Sequence, residues 1–355
     1  MNFMQDNLYG RSRAELEEVL EPLTGKRYHA RQIYHWIHGR GEREFARMTD
    51  LSGALRTALT ERFRAELPRV ELRQPSQDGT VKYLLRLDDG KAVEAVYIPE
   101  SRRITFCVSS QIGCPLACTF CLTGKMGLVR NLGPGEIAGQ VAILAGEHDL
   151  PPNSYNLVFM GMGEPMNNYD SVMAAFRLLT DPEGFGISPR RITLSTAGVV
   201  PGILRLAAET PRPRLAVSLS ATTDSQRNEL MPINRAFPLA ILFGALREIP
   251  LAHRERVTLE YVLLRGINDS SEDAGRLATL SGSMPVKVNL IPYNEAGVKG
   301  YAPPELPAAR AFRDLLLARG IRASVRKRRG ADISAACGQL AILDPTLLQQ
   351  PAAIG

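Results

Sequence analysis

Cys114-Pro-Leu-Ala-Cys118-Thr-Phe-Cys121 is the stretch of this 355-residue sequence that decides the fold. It follows a β-rich run at 104–109 and holds three of the five cysteines in a C-x3-C-x2-C spacing. Thiolates at that spacing can occupy three corners of an iron–sulfur cubane, which leaves the fourth iron open to a small molecule. A structural zinc site with Cys107 as fourth ligand is the alternative, but such sites usually pair two short knuckles. The spacing therefore favours a catalytic 4Fe–4S cluster on Cys114, Cys118 and Cys121.

On both sides of this stretch, short β-rich runs alternate with longer helical segments. Strands are predicted at 104–109, 155–160, 191–195, 214–219, 257–264, 286–291 and 321–326. Helices are predicted between most of them, at 135–147, 170–180, 238–248, 271–281 and 304–319. This alternation predicts an α/β fold with parallel strands and crossover helices, as an open sheet or partial barrel. Ligands bind at the C-terminal ends of the strands in such folds.

Two further parts are predicted before the barrel. Ser12 and Glu15 form a capping box ahead of apolar stripes at helical spacing, which predicts a small helical bundle over 1–75. Two β-rich runs, separated by Asp88-Asp89-Gly90, predict a connecting β-hairpin within 76–103. The barrel is predicted over residues 104–330. Residues 331–355 are predicted to form a C-terminal segment, which contains the isolated Cys337.

The amino-acid composition excludes several classes of protein. A hydrophobic content of 45% with 23% charged residues excludes a disordered or fibrous chain. No apolar run approaches the roughly 18 residues that a spanning helix needs, and MNFMQDNLYG at the start lacks a signal-peptide pattern. We therefore expect a cytoplasmic protein without membrane attachment. In that compartment we do not expect the five cysteines, an odd number, to form a disulfide scaffold. The net charge of +6 permits a polyanionic partner.

The cysteine spacing resembles the signature of the radical S-adenosylmethionine superfamily. Phe120 precedes the third cysteine, and Gly161-Met-Gly-Glu-Pro165 resembles the loop that holds the ammonium group of the substrate. Arg31-Gln-Ile-Tyr-His-Trp36 resembles part of an RNA-binding accessory domain. Further motifs extend the resemblance to the RlmN family over nearly the whole chain: FCVSSQ at 106–111, RNL at 130–132, LSTAG at 194–198, LMPIN at 230–234, VNLIPYN at 288–294 and GADISAACGQL at 330–340. It implies a partial (β/α)6 radical S-adenosylmethionine barrel with a small helical accessory domain.

The RlmN family methylates C2 of adenine 2503 in 23S ribosomal RNA, and several members also methylate C2 of adenine 37 in transfer RNA. C2 is electron-poor, so the resemblance implies a radical route. Cys337 takes a methyl group from one S-adenosylmethionine, and the cluster cleaves a second one reductively. The resulting radical removes a hydrogen atom from the S-methyl group, and the methylene radical adds to C2. Cys107 then releases the product through a disulfide with Cys337, while Glu94 accepts the proton.

The resemblance also implies the cofactors, partners and remaining site residues. These are one 4Fe–4S cluster per chain, two S-adenosylmethionine molecules per turnover, an external electron donor and an RNA substrate bound by a monomer. Ser220 stands where family members often carry His or Asn, which leaves a side-chain contact there open. The S-adenosylmethionine site is expected to include Gly163, Glu164, Ser195, Ser218, Leu219, Ser220 and Asn294. Phosphate contacts are expected from Arg322, Arg326, Lys327, Arg328 and Arg329, extended by Arg102, Arg103, Lys125 and Arg130.

Two alternatives stay open at this point. A Cfr-type enzyme would methylate C8 of the same adenine, although Pro165 and Arg329 resemble the RlmN family more closely. A zinc-stabilised RNA-binding module would use the same cysteines without catalysis.

Overall fold

Helix α1 shows how short polar motifs set the ends of the N-terminal helices. In the computed structural model, which describes residues 5–295, 298 and 300–342, α1 spans Arg13–Thr24. The Glu15 N–H donates to Ser12 Oγ at 3.3 Å and the Ser12 N–H donates to Glu15 Oε2 at 2.7 Å, which completes the predicted capping box. Gly25 ends the helix with φ 58°, a left-handed conformation that suits glycine. Residues 1–4 of the predicted helical bundle lie outside the described residues, as do residues 343–355 of the predicted C-terminal segment.

The remaining N-terminal elements confirm the predicted helical unit and add a short strand pair. The two strands are parallel, and their pairing places Asp6 and Asn7 beside Phe63 and Arg64, which follow the third helix. Leu16, Leu20, Ile33 and Leu59 are buried in the core that these helices share. The elements are β1 (Asp6–Asn7), α2 (Tyr28–Tyr34) followed by a π-helical turn at His35–Gly39, α3 (Gly53–Arg62) and β2 (Phe63–Arg64).

The connecting region is an antiparallel ribbon of three strands. β4 (Val81–Arg86) and β5 (Ala92–Glu100) form the predicted hairpin, with Gly90 at φ 78° in the turn. The sequence places residues 69–75 at the end of the helical bundle, whereas the structure has an antiparallel strand there, β3 (Arg69–Pro75). β3 lies at the edge of the sheet with most of its side chains exposed. Few apolar residues therefore mark it in the sequence.

The rest of the described chain alternates strands and helices. The loop region that carries the cysteine motif lies between the first and the second of the parallel strands. In chain order the elements are β6 (Arg103–Cys107), β7 (Gln111–Gly113), α4 (Leu122–Lys125), β8 (Leu128–Asn131), α5 (Pro134–Glu147), β9 (Tyr155–Phe159), α6 (Tyr169–Thr180), β10 (Ile192–Thr196), α7 (Val200–Ala207), β11 (Arg214–Ser218), α8 (Asp224–Leu230), α9 (Leu239–Arg247), β12 (Val257–Leu263), α10 (Ser271–Ser281), β13 (Val286–Pro292), α11 (Leu306–Ala318) and β14 (Arg322–Val325).

Apart from β7 and β8, which pair only with each other, these strands join β3, β4 and β5 in one ten-stranded sheet, in the order β14-β13-β12-β11-β10-β9-β6-β5-β4-β3. Neighbours from β6 to β14 are parallel, and the ribbon β3–β5 continues the sheet in antiparallel pairing. Its two edge strands do not pair with each other, so the barrel is open. The predicted α/β partial barrel is confirmed. The domain boundaries drawn from the sequence stay a prediction.

Three helices of the barrel are missing from the sequence-based prediction: the short α4 and α8, and the crossover helix α7. α7 lies between β10 and β11 and has Pro201 and Gly202 in its first turn. Proline and glycine both weaken a helical signal, although proline is well tolerated in the first turn. A Cβ atom on Gly202 would lie 2.7 Å from the Met166 side chain, so glycine lets the helix pack closely there. Among the described residues, no helix is long and apolar enough to cross a membrane.

Candidate active site

The cysteine motif lies on a loop whose two ends are held together by the β7–β8 pair. The Cys114 N–H donates to Gly127 O at 2.9 Å, which closes the neck of the loop. Gly113, at φ 73°, precedes the first cysteine, and a Cβ atom there would lie 1.8 Å from Gly127 O. Only glycine fits this close approach. The sequence does not predict this pair, because each strand is only three or four residues long.

The three thiols of the motif line one cavity, which we call the cluster cavity. Burial raises the pKa of Cys114 to about 12 and that of Cys118 well above its usual range. Thiols in such surroundings become thiolates when a bound cation stabilises the charge, which fits a metal cluster as the ligand. In the described part of the chain, no three His, Cys, Asp or Glu side chains are arranged to hold a single metal ion. The fit to a cluster therefore rests on the three thiol donors and the cavity that they share. Other predicted residues line the same cavity: Gly163, Glu164, Ser195, Ser218, Asn294 and Cys337.

Glu164 is held tightly at the floor of the cluster cavity. Its Oε1 accepts the Met166 N–H at 3.0 Å and its Oε2 accepts the Ala197 N–H at 2.8 Å. Burial raises the pKa of this carboxyl, and these backbone amides act in the opposite direction. The Glu164 N–H in turn donates to Gln111 Oε1 at 2.8 Å. A ligand ammonium group at Glu164 would thus meet a carboxylate whose orientation is already fixed by the backbone.

A buried hydrogen-bond network, which no motif in the sequence predicts, connects the ends of β6 and β9. Gln140 on α5 is fully buried, and its side chain bonds both the N–H and the C=O of Ser109, at 2.8 and 3.0 Å. Ser109 Oγ donates to Glu94 O at 2.6 Å and accepts the Met162 N–H at 2.8 Å. The network fixes the glycine loop against strand β5. A glutamine inside the apolar stripe of α5 is the signal that could have indicated it.

Arg227 is a second residue that the sequence analysis does not single out. Its side chain is fully buried and donates to Ala197 O at 2.6 Å, Asn234 Oδ1 at 3.0 Å and Leu219 O at 3.2 Å. Burial lowers its pKa to about 10, so the guanidinium stays charged at neutral pH. Arg227 therefore ties together the strand ends that border the cluster cavity.

Replacing Arg227 with methionine should lower the free energy of unfolding by about 2–4 kcal/mol, because several buried acceptors lose a charged donor. Denaturant unfolding of the full chain measures this change. Arg235→Met is the matched control, because Arg235 is an exposed arginine in the short 3-10 helix that follows α8. Equal stability of both variants would show that the buried hydrogen bonds of Arg227 contribute little.

Cys107 and Cys337 line a second cavity, which we call the basic cavity and which has a volume of about 620 Å³. Cys337 lines both cavities. Burial raises the pKa of Cys107 to about 12, and the nearby Cys337 adds to the shift. Burial also raises the pKa of Cys337, whereas Arg326 acts in the opposite direction. Both cysteines are free thiols.

Glu94, the predicted proton acceptor, lines neither of the two cavities. It is buried and forms an ion pair with Lys82, with Oε1 and Nζ 2.9 Å apart. Burial raises its pKa, and the Lys82 charge opposes the rise. Val96, two residues along β5, pairs with Cys107 on β6, so Glu94 and Cys107 share one face of the sheet. The structure thus brings Glu94 near Cys107, and its role as proton acceptor stays a prediction.

Leu219 and Ser220 are fully buried and do not line the cluster cavity. Ser220 has φ 50°, its Oγ accepts the Val262 N–H at 3.3 Å, and its C=O accepts Asn268 Nδ2 at 2.8 Å. A φ in this range is the left-handed region, which residues other than glycine adopt only occasionally. The hydrogen bonds hold Ser220 in this conformation, and its contact with S-adenosylmethionine stays a prediction.

The basic residues differ in how free they are to bind RNA. Arg130 is held by Asp89 at 2.8 Å and Glu136 at 2.7 Å, and Arg103 is paired with Glu100. Arg326 is half-buried, with Nη1 4.0 Å from Glu260 Oε2. Lys327 and Arg322 are exposed, as is Arg102. Four basic residues that the sequence analysis does not include also line the basic cavity: Arg190, Arg191, Arg214 and Lys287.

Comparison with known proteins gives matches over both parts of the chain. Residues 6–65 match the Ribosomal RNA large subunit methyltransferase N-terminal domain, and residues 108–278 match the Radical SAM superfamily. A protein of Anaeromyxobacter dehalogenans named Dual-specificity RNA methyltransferase RlmN is 52% identical over 332 residues, which cover 92% of this chain and 89% of that protein. A Geobacter sulfurreducens protein of the same name is 48% identical and covers 94% and 91% of the two chains. The crystal structure of a radical SAM methyltransferase from Sphaerobacter thermophilus has a TM-score of 0.87 at 42% identity, over 94% of this chain and 99% of that one.

These matches agree with the geometry of the cluster cavity, and they settle the class of protein. The non-catalytic zinc-stabilised module is wrong as an alternative, because the matching relatives are methyltransferases. Membership implies a 4Fe–4S cluster and S-adenosylmethionine as cofactors and RNA as the substrate. The chain belongs to the RlmN family of radical S-adenosylmethionine-dependent RNA methyltransferases.

Proposed function

We propose that this enzyme methylates C2 of adenine 2503 in 23S ribosomal RNA and C2 of adenine 37 in transfer RNAs. The observation that supports this most is the place of Cys337, which lines both the cluster cavity and the basic cavity. A thiol at such a junction can receive a methyl group on one side and meet a base on the other. The relatives carry the name dual-specificity RNA methyltransferase, which supports two classes of RNA substrate.

Within this proposal each group of residues has a separate task. Cys114, Cys118 and Cys121 hold the cluster, which supplies the electron for reductive cleavage of S-adenosylmethionine. Glu164, Ser195, Ser218 and Asn294 bind S-adenosylmethionine. Cys337 carries the methyl group, a displacement that a thiolate can perform. Cys107 resolves the protein–RNA intermediate and Glu94 takes the proton.

The partners follow from the same proposal. Two S-adenosylmethionine molecules are used per turnover, one for Cys337 and one for the radical step, and an external donor supplies the electron. The enzyme acts as a monomer, and we expect a cytoplasmic location because ribosomal and transfer RNA are there. Exposed basic residues such as Arg322 and Lys327 contact phosphates, which makes binding depend on salt concentration.

Localisation of the methyl group tests the proposed function. The cluster-loaded enzyme is incubated with S-adenosylmethionine, a reductant and either a 23S ribosomal RNA fragment or a transfer RNA. We expect 2-methyladenosine in both digests, and none from fragments in which guanine replaces the target adenine. A methyl group at C8 with none at C2 would instead support the Cfr-type alternative. Product from ribosomal RNA alone would limit the proposal to that substrate.

A further inference from the structure

Glu260 is a buried carboxylate that the proposed function does not use. It lies on β12, where it is paired with Ser218 of β11 and Asn289 of β13, and it is 4% exposed. It lines the cluster cavity and the basic cavity, as Cys337 does. The carboxylate therefore lies at the junction where the sulfur and the base have to meet.

Only one oxygen of Glu260 is held by a hydrogen bond. Asn289 Nδ2 donates to Oε1 at 2.9 Å, and Asn289 Oδ1 accepts Ser324 Oγ–H at 3.2 Å, which orients the amide. Oε2 is buried and has no hydrogen-bond donor among the described residues, since Arg326 Nη1 is 4.0 Å away. A buried carboxylate oxygen without a donor is costly, by about 1–3 kcal/mol. A ligand that brings an N–H or O–H group would remove that cost.

The chemistry of the proposed substrate supplies such a donor. In adenine, C2 is bonded to N1, and N1 is bonded to C6, which carries the exocyclic amino group. C2 and the amino group therefore lie on the same edge of the base, with N1 between C2 and C6. A base whose C2 points to Cys337 presents its amino group beside that contact. Guanine and hypoxanthine carry a carbonyl oxygen at C6, which would face the carboxylate without a hydrogen atom between them.

We propose that Glu260 Oε2 accepts a hydrogen bond from the exocyclic amino group of the target adenine, and that this bond selects adenine and directs its C2 to Cys337. This role rests on the proposed function and adds a specificity-determining residue to it. Asn289 is the positioning residue, because it holds Oε1 and leaves Oε2 for the base.

Exchange of the acceptor for a donor tests this role. In Glu260→Gln, the Asn289 donor keeps the amide oxygen on its own side, so the NH2 group faces the base. That group repels an amino substituent and donates to a carbonyl. RNA fragments with adenosine or inosine at the target position are compared by kcat/KM for methylation. We expect the adenosine-to-inosine ratio to fall by about 10- to 100-fold relative to the wild type, the range for a hydrogen bond to a charged group.

Three further measurements make the outcome decisive. Glu272→Gln, an exposed change on α10, should leave the ratio unchanged. Mass spectrometry measures how much Cys337 becomes S-methylated in the absence of RNA. We expect the same extent in Glu260→Gln as in the wild type. Loss of that step with the iron content intact would overturn the proposal, because Glu260 would then serve S-adenosylmethionine or the thiol. In the wild type, replacing the target adenosine with purine riboside, which lacks the amino group, should lower kcat/KM by about 10- to 100-fold, and this comparison needs no variant.

The two hypotheses fail in different ways. An unchanged adenosine-to-inosine ratio in Glu260→Gln, or full activity of the wild type on purine riboside, overturns the role of Glu260. A wild-type product other than 2-methyladenosine overturns the proposed function.

Discussion

Cys337→Ala is expected to abolish RNA methylation, by at least about a thousandfold, while iron and sulfide still assemble on Cys114, Cys118 and Cys121. The reason is chemical, because alanine has no group that can accept the methyl. The backbone around the residue is held by bonds that do not use the thiol. Leu122 N–H donates to Gly338 O at 2.9 Å, and Gln339 Nε2 donates to Glu295 O at 2.9 Å. The loop should therefore keep its place in the variant.

Transfer of labelled methyl groups from S-adenosylmethionine to RNA and to protein measures this result, together with iron content and visible absorption. Cys337→Ser is the matched control for packing, since a hydroxyl fills nearly the same space as the thiol. We expect it to be as inactive as the alanine variant, because an un-ionised hydroxyl is a weak nucleophile. RNA methylation by either variant at near the wild-type rate would mean that the methyl group does not pass through Cys337.

Much of the fold could be predicted because periodicity is a local property of the sequence. The parallel strands of the sheet are short and mostly apolar, and the predicted helices between them are largely amphipathic, so the observed ends of these elements lie within two residues of the predicted ones. β3 could not be found in this way, since it is an edge strand with most side chains in solvent. α7 has proline and glycine in its first turns, and its packing against Met166 is visible only in three dimensions.

The candidate site divides along similar lines. Motif positions such as Cys114, Glu164 and Cys337 could be predicted because their spacing is tied to a known chemistry. Arg227 could not, because its helix α8, with the sequence DSQRNEL, is polar over most of its length. Gln140 and Glu260 could not either, although each is a polar residue inside an otherwise apolar element. Such a residue signals a buried partner, and its meaning depends on which strand ends lie beside it. Glu260 shows this most clearly, because its neighbours Asn289 and Arg326 are 29 and 66 residues away in the chain.

Cys107 lies at the end of β6, buried and in the same cavity as Cys337. In the proposed reaction its sulfur attacks the sulfur of Cys337. An S–S bond forms, the bond between sulfur and the methylene carbon breaks, and the electron pair stays on that carbon, which then takes a proton. Because burial raises the pKa of Cys107 to about 12, the thiol has to lose its proton to a nearby base before it attacks. Glu94, on the same face of the sheet, is the carboxylate that we expect to help.

Cys107→Ala should therefore leave S-methylation of Cys337 intact and accumulate a covalent protein–RNA adduct, with less than about one product released per enzyme. The change removes only one buried sulfur atom, so we expect a stability loss of about 1 kcal/mol or less, too small to unfold the barrel. A denaturing gel with labelled RNA measures the adduct, and mass spectrometry of the protein measures the S-methyl group. The double variant Cys107→Ala/Cys337→Ala is the control and should form no adduct. Repeated turnover by the single variant, with no adduct on the gel, would show that another group releases the product and that the two thiols do not act as a pair.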